Sequence, residues 1–137
     1  MSVANADNIQ MVSGLLQPVF AHHSHVLAAV YLFGSHATGA ATLNSDLDLA
    51  VLLRPDAVSA AASLRFTLFA ECSRALKRND IDLVILNTAA NLILKDEIIR
   101  SGILLYDGDD STRIDYELKT LHQAMDFRFQ RQLVMGV

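Results

Sequence analysis

Three short apolar runs, separated by segments with helical periodicity, constrain the fold of this 137-residue chain more than any other feature. The runs occupy residues 26–33, 46–53 and 80–86. Such continuous runs predict strands that are buried on both faces. Apolar residues recur at helical spacing over residues 7–23, 57–77, 88–100 and 111–133, and a further short run covers residues 103–106. The order of these segments predicts an α/β (α+β) domain in which helices cover a sheet of undetermined strand order.

The composition supports one folded domain over residues 1–137 and narrows its partners. Apolar residues make up 52% of the chain, which excludes a disordered protein. The net charge of -4, from 15 acidic and 11 basic residues, argues against direct binding to a nucleic-acid backbone. Cys72 is the single cysteine, the first residues do not resemble a secretion signal, and no apolar run reaches the length of a membrane-spanning helix. We therefore expect a cytoplasmic protein that has no membrane partner.

Two carboxylates, Asp46 and Asp48, lie at the start of the second apolar run. Because side chains alternate between the faces of a strand, both point to one face, about 6–7 Å apart, while Leu47 and Leu49 point to the other. Like charges at that distance repel each other, and a bound cation relieves the repulsion. The pair therefore predicts a site for a hard divalent ion such as Mg²⁺, which prefers oxygen ligands.

Two further features extend this candidate site. Asp80 and Asp82 repeat the pattern at the start of the third run, and Asp82 completes a three-carboxylate cluster if the two strands are neighbours. Asp80 is more typical of a turn. Gly34 and Ser35 directly follow the first run, where glycine allows a close backbone approach and a hydroxyl or amide can contact an anion. Together these features would supply both halves of a metal–nucleotide site.

At this point the chain resembles a known superfamily. Gly34-Ser35, ten intervening residues and Asp46-Leu47-Asp48 match the signature of the DNA polymerase β-like nucleotidyltransferases. The small size resembles their minimal nucleotidyltransferase (MNT) branch, which contains antitoxins, and the similarity continues through residues 80–84 and 98–106 to the C-terminal helix. The resemblance implies the nucleotidyltransferase fold, with a small mixed β-sheet flanked by helices.

The same resemblance implies an activity and roles for five residues. Gly34 and Ser35 would hold the phosphates of ATP. Asp46 and Asp48 would bind Mg²⁺, and Asp82 would complete the metal site and help to deprotonate the acceptor hydroxyl. The implied enzyme is a protein adenylyltransferase that moves AMP from ATP to a hydroxyl, with tyrosine the expected acceptor. Its implied setting is a type VII-like toxin–antitoxin system, in which it neutralises a cognate HEPN-domain ribonuclease toxin within a hetero-oligomer.

Alternatives to this enzyme remain open on the sequence. A catalytically silent antitoxin would neutralise its toxin by binding alone, and an orphan transferase would modify a small molecule. A phosphohydrolase would use Asp-x-Asp, but its acids conventionally end a hydrophobic strand, whereas Leu-Ala-Val-Leu-Leu follows them here. His36 and Thr38 also stand where many members of the superfamily have arginines, so the triphosphate contacts are expected to be weaker or to come from elsewhere.

Several other residues are interpreted structurally. His22, His23 and His25 are expected in a solvated loop, without a carboxylate at metal-ligand spacing. Cys72 lies on the apolar stripe of its predicted helix, which is typical of a core thiol. Tyr116 is expected to be an ordinary surface tyrosine.

The C-terminal helix carries more apolar residues than one buried face needs. Its stripe is most simply core and consists of Ile114, Leu118, Leu121, Met125 and Phe129. Further apolar residues near its end are Phe127, Leu133, Val134 and Met135. We therefore predict that residues 127–137 contribute to an interface with a partner.

Overall fold

A computed structural model describes residues 3–42 and 44–135, in which helices cover both faces of a four-stranded sheet. The main elements are α1 (Val3–His22), β1 (Leu27–Phe33), α2 (Ser35–Thr38), β2 (Leu47–Leu53), α3 (Ala61–Leu76), β3 (Ile81–Ile85), α4 (Leu92–Ser101), β4 (Ile103–Asp107) and α5 (Asp110–Met135). Short 3₁₀ helices at Pro55–Ala60 and Leu86–Thr88 follow β2 and β3. The predicted α/β architecture is confirmed, with element boundaries shifted by a few residues.

The strand order of the sheet is β3-β2-β1-β4. β1 is antiparallel to β2 and β4, whereas β2 and β3 are parallel, so the sheet is mixed as the resemblance implied. Phe33 at the end of β1 pairs with Asp48, and Asp48 pairs in turn with Asp82. The C-terminal end of β1 and the N-terminal ends of β2 and β3 therefore meet at one end of the sheet.

The central strands are apolar except at Asp48 because both of their faces are covered. One face of β2 packs under α1 and α3 through Leu47, Leu49, Val51 and Leu53. The opposite face packs under α4 and α5 through Ala50 and Leu52. Complete burial of a leucine side chain contributes about 1.5–3 kcal/mol, so these runs account for much of the stability of the fold.

The predicted helix over residues 57–77 divides into two parts. Pro55 fixes the backbone at the first position of a 3₁₀ helix, and α3 proper begins at Ala61. Leu68 and Cys72 of α3 are fully buried, which confirms the predicted apolar stripe and the interpretation of Cys72 as a core residue. None of the helices within residues 3–42 and 44–135 combines the length and apolar character that crossing a lipid bilayer requires.

The expectation that the apolar stripe of α5 is core is wrong for most of its members. Four of them are 46–60% exposed, namely Ile114, Leu118, Met125 and Phe129. Thr120 and Ala124 are buried in their place. The inward face of α5 thus combines these small residues with the half-buried Tyr116, whereas four large apolar residues of the predicted stripe face outwards. The side chain of Met135 lies outside the described part of the chain.

Candidate active site

Three of the predicted site residues meet where β2 and β3 begin. Asp48 is the second residue of β2 and pairs in parallel register with Asp82, so their side chains share one face of the sheet on strands about 4.8 Å apart. Burial, followed by the neighbouring charges of Asp82 and Asp46, raises the pKa of Asp48. The three carboxylates therefore act on one another electrostatically, and the ionised form of Asp48 is disfavoured unless a cation is close.

Asp80 stands apart from this cluster. The Arg78 guanidinium donates hydrogen bonds to both carboxylate oxygens of Asp80, from Nε to Oδ1 at 2.5 Å and from Nη2 to Oδ2 at 2.7 Å. These hydrogen bonds lower the pKa of Asp80 to about 2. Arg78 also donates to the carbonyl of Ser45, and the backbone of Asp80 accepts from Leu47 N at 2.8 Å. Arg78 and Asp80 together fix the segment that carries Asp46, a role that sequence reasoning missed.

Gly34 brings the backbone against the carboxylates. Its φ of 73° lies in the left-handed region, and a Cβ built at this position would lie 2.1 Å from Oδ2 of Asp48. Any larger residue would therefore displace Asp48. The carbonyl of Gly34 accepts from the amides of Ala37 and Thr38, so α2 begins directly at Ser35. The structure thus places the Gly34-Ser35 turn beside Asp48, where the site prediction requires it.

The two positions that lack arginines differ from each other. Thr38 is exposed, and its hydroxyl contacts the carbonyl of Ser35. His36 is buried, its Nε2 lies 3.3 Å from the carbonyl of Ser45, and it acts on Asp48 to lower the pKa. Within the described residues its Nδ1 is buried and has no hydrogen-bond partner. A buried polar atom without a partner is costly, and a bound ligand would satisfy it.

The residues present fit a divalent cation with a phosphate-bearing ligand. All three acids offer oxygen donors of the kind that Mg²⁺ prefers, and Asp46 and Asp82 are exposed to solvent. The acids begin β2 and β3 rather than end them, which contradicts a phosphohydrolase arrangement. The fold and the site together define a nucleotidyltransferase.

Comparison with known proteins assigns the family directly. Residues 15–111 match the profile of the family described as Polymerase beta, Nucleotidyltransferase, so this chain belongs to that family. The matched range includes the Gly34-Ser35 turn and all three clustered acids.

Individual relatives are similar along most of the chain. Protein adenylyltransferase MntA of Shewanella oneidensis is 29% identical over 109 residues, which cover 80% of this chain and 74% of that protein. A crystal structure of a toxin–antitoxin with AMP-PNP is 25% identical, with a TM-score of 0.67 over 90% of this chain and 95% of the matched chain. The MntA–HepT toxin–antitoxin structure has a TM-score of 0.64 at 24% identity over 93% and 96% of the two chains, and it supports the fold alone.

Other chemically capable residues lie outside this site. Burial raises the pKa of the Cys72 thiol to about 12, so it is not a nucleophile. Tyr116 is half-buried and donates to the carbonyl of Leu86 at 3.3 Å, so the expectation of a surface tyrosine is wrong. The expectation of a solvated histidine loop is also wrong for His23, which is buried and contacts the Glu71 carboxylate.

Proposed function

We propose that this chain is the antitoxin of a toxin–antitoxin pair and a Mg²⁺-dependent protein adenylyltransferase, which neutralises a HEPN-domain toxin by transferring AMP from ATP to a tyrosine hydroxyl. The observation that carries the proposal is the cluster of three acids against Gly34, in which burial, followed by the charges of Asp82 and Asp46, raises the pKa of Asp48. Membership of the nucleotidyltransferase family and the similarity to a protein adenylyltransferase support this chemistry.

Asp46, Asp48 and Asp82 are proposed to hold Mg²⁺, and Gly34 and Ser35 to hold the phosphates of ATP. When bound, Mg²⁺ supplies positive charge that neutralises the phosphates and the carboxylates together. The raised pKa of Asp48 is the strain that a cation would relieve, which is the physical reason for assigning the metal to this cluster.

The proposed reaction forms one bond and breaks another at the α-phosphorus of ATP. The acceptor oxygen bonds to phosphorus, and pyrophosphate leaves with the bridging oxygen. The acceptor proton passes to Asp82, which is exposed and so within reach of a hydroxyl on another protein. The chain contributes mainly the positioning of the phosphates and the fixed negative charges, because phosphoryl transfer depends mostly on geometry and electrostatics.

The proposal treats residues 1–137 as one minimal nucleotidyltransferase domain whose acceptor surface comes from its partner. The exposed apolar face of α5 is the candidate contact, because four large apolar side chains on it are about half exposed or more. The inward stripe of α5 also becomes exposed towards its end, from 4% at Ala124 to 40% at Phe127 and 85% at Val134. The last turns thus extend beyond the helices of this chain that could cover them. A cytoplasmic location stays a prediction.

A second candidate function is neutralisation by binding alone, which the same exposed face of α5 favours. The two functions differ in their dependence on the carboxylate cluster. An enzyme needs Asp46, whereas a binding protein needs only the α5 face.

The test uses the purified chain, the HEPN protein encoded by a neighbouring gene, ATP labelled at the α-phosphate, and Mg²⁺. We expect label on a toxin tyrosine with the wild type and with Asp56→Asn, since Asp56 is an exposed acid on the first 3₁₀ helix. With Asp46→Asn we expect no label and no neutralisation in cells. Full neutralisation by Asp46→Asn would establish the binding-only function, and label on neither protein would contradict the enzyme.

A further inference from the structure

A second group of potential metal ligands lies away from the clustered acids. His22 ends α1, His23 follows it, and Glu71 lies on α3. Each of the three offers one ligand atom, and these atoms all lie within 4.8 Å of one another. Because Glu71 lies 48 positions after His23, no local sequence pattern indicates that a carboxylate joins the histidines.

The fold holds this group in place. The carbonyl of His23 accepts from the amides of Val26 and Leu27, which closes the turn between α1 and β1. Arg54, the residue after β2, fixes the same turn, since its Nε donates to Ser24 O at 3.1 Å and its backbone amide donates to Val26 O at 2.8 Å. A ligand set positioned by such a network loses little entropy when it binds an ion.

The third ligand comes from α3. Glu71 directly precedes the buried Cys72, and its own side chain is 26% exposed. The Glu71 carboxylate contacts Nε2 of the buried His23. The His22 ring stands edge-on to the His23 ring, with centroids 4.9 Å apart, and remains exposed. One side of the group is therefore open to solvent.

We propose that His22, His23 and Glu71 bind a zinc-type divalent ion. Two imidazole nitrogens and one carboxylate oxygen are a ligand set that Zn²⁺ accepts, with water in the remaining position. Mg²⁺ is disfavoured because it prefers oxygen ligands throughout. The ion would join the end of α1 to α3 and would neutralise the charge of the partly exposed Glu71 carboxylate.

This site is separate from the proposed adenylyltransferase site. His23 lies before the first residue of β1, whereas Gly34 follows the last, so seven strand residues separate the two, or roughly 20 Å. Zinc binding can therefore be disproved without disproving the adenylyltransferase activity, and the activity can be disproved without disproving zinc binding.

The test measures Zn²⁺ binding to the full chain by competition with a chromophoric chelator, in a background of Asp46→Asn and Asp48→Asn that removes the clustered acids as ligands. We expect one ion per chain. Loss of a ligand in Glu71→Gln or His22→Ala should weaken binding at least about tenfold, since even the loss of residues that only orient metal ligands costs 10–100-fold. His22 is exposed, so its replacement leaves the fold intact.

His25→Ala is the matched control. Its ring stacks on His23 with centroids 6.4 Å apart, but it lies outside the three-ligand group. We expect this variant to bind Zn²⁺ as tightly as the background protein does. We also expect Co²⁺ bound to the background protein to show the visible absorption of a site with few ligands, and Glu71→Gln to lose that absorption. Equal weakening by His25→Ala, or unchanged binding in both Glu71→Gln and His22→Ala, would overturn the proposal and identify an adventitious ion only.

Discussion

Replacement of Gly34 by alanine tests the central geometric claim about the site. Two separate costs follow from the structure. The backbone cost arises because Gly34 has a φ of 73° and a ψ of -155°, a region adopted almost only by glycine, where an L-residue costs about 1–3 kcal/mol. The contact cost arises because the new Cβ would lie 2.1 Å from Oδ2 of Asp48, whereas ordinary contact begins near 3.4 Å. The Asp48 carboxylate must therefore move by more than an ångström.

Gly39→Ala is the control for alanine at a positive φ. Gly39 has a φ of 84° and a ψ of 7°, in the left-handed helical region, where an L-residue costs about 1–2 kcal/mol. The nearest atom to its added Cβ is Nδ2 of Asn5 at 3.5 Å, an ordinary contact. Gly39→Ala should lose about 1–2 kcal/mol of unfolding free energy and Gly34→Ala at least as much, but only Gly34→Ala should displace a carboxylate of the site.

The assays are urea unfolding and the initial rate of AMP transfer to the toxin at fixed Mg²⁺. A misplacement of about 1 Å at a reacting centre costs about 100-fold in rate, so we expect that loss for Gly34→Ala and less than about threefold for Gly39→Ala. Wild-type activity in a folded Gly34→Ala would refute the assignment of Asp48. Equal losses in the two variants would show that strain in α2, not the contact with Asp48, controls activity.

Four further predictions concern charge and contact. The pKa of Asp48 in the folded chain is raised above its usual 3.8, so the fold loses stability as the pH rises from 3.8 through the raised pKa. Asp48→Asn removes this charge and should therefore raise the free energy of unfolding at pH 7, measured by chemical denaturation. The same variant should abolish AMP transfer. The pKa of Asp80 is lowered to about 2, so its charge stabilises the fold above pH 3.8 and this stabilisation is lost as the pH falls towards 2. Asp80→Asn should therefore make the free energy of unfolding, measured by circular dichroism, less dependent on pH between 3.8 and 2. Thr38→Arg adds a charged donor at an exposed position of α2 and should lower the KM for ATP about fivefold in steady-state assays. Phe129→Asp should weaken toxin binding at least about tenfold by calorimetry without altering the melting temperature, whereas equal affinity would remove α5 from the interface.

The sheet could be predicted because its two central strands, β1 and β2, are covered on both sides. A strand buried on both faces must be apolar at every position, which leaves a continuous run that no amphipathic helix produces. The placement of Asp48 and Asp82 on one face also followed from alternation along a strand, once the strands were taken as neighbours. What the sequence lacked was the strand order, and it is the parallel pairing of β2 with β3 that brings the two acids together.

The supporting contacts could not be predicted, since each depends on tertiary packing. Arg78 and Asp80 are two residues apart, which is a common spacing in turns. Only the folded structure shows that the Arg78 guanidinium donates to both the Asp80 carboxylate and the carbonyl of Ser45. Glu71 reaches His23 because α3 packs against α1, which no local pattern records. In both cases the residue types and their spacing are common in sequences, and only the folded structure shows that the side chains are in contact.

The misreading of α5 has a physical cause that bears on function. Hydrophobic periodicity identifies a face that avoids water, but it does not say whether the chain itself or another protein covers that face. In α5 the buried Thr120 and Ala124 and the half-buried Tyr116 form the inward side, and none of them belongs to the predicted apolar stripe. The large residues are left on the outward side, where burial must come from elsewhere. A helix with its strongest apolar stripe facing solvent is therefore better explained by a binding partner than by the core, and the proposed antitoxin function supplies that partner.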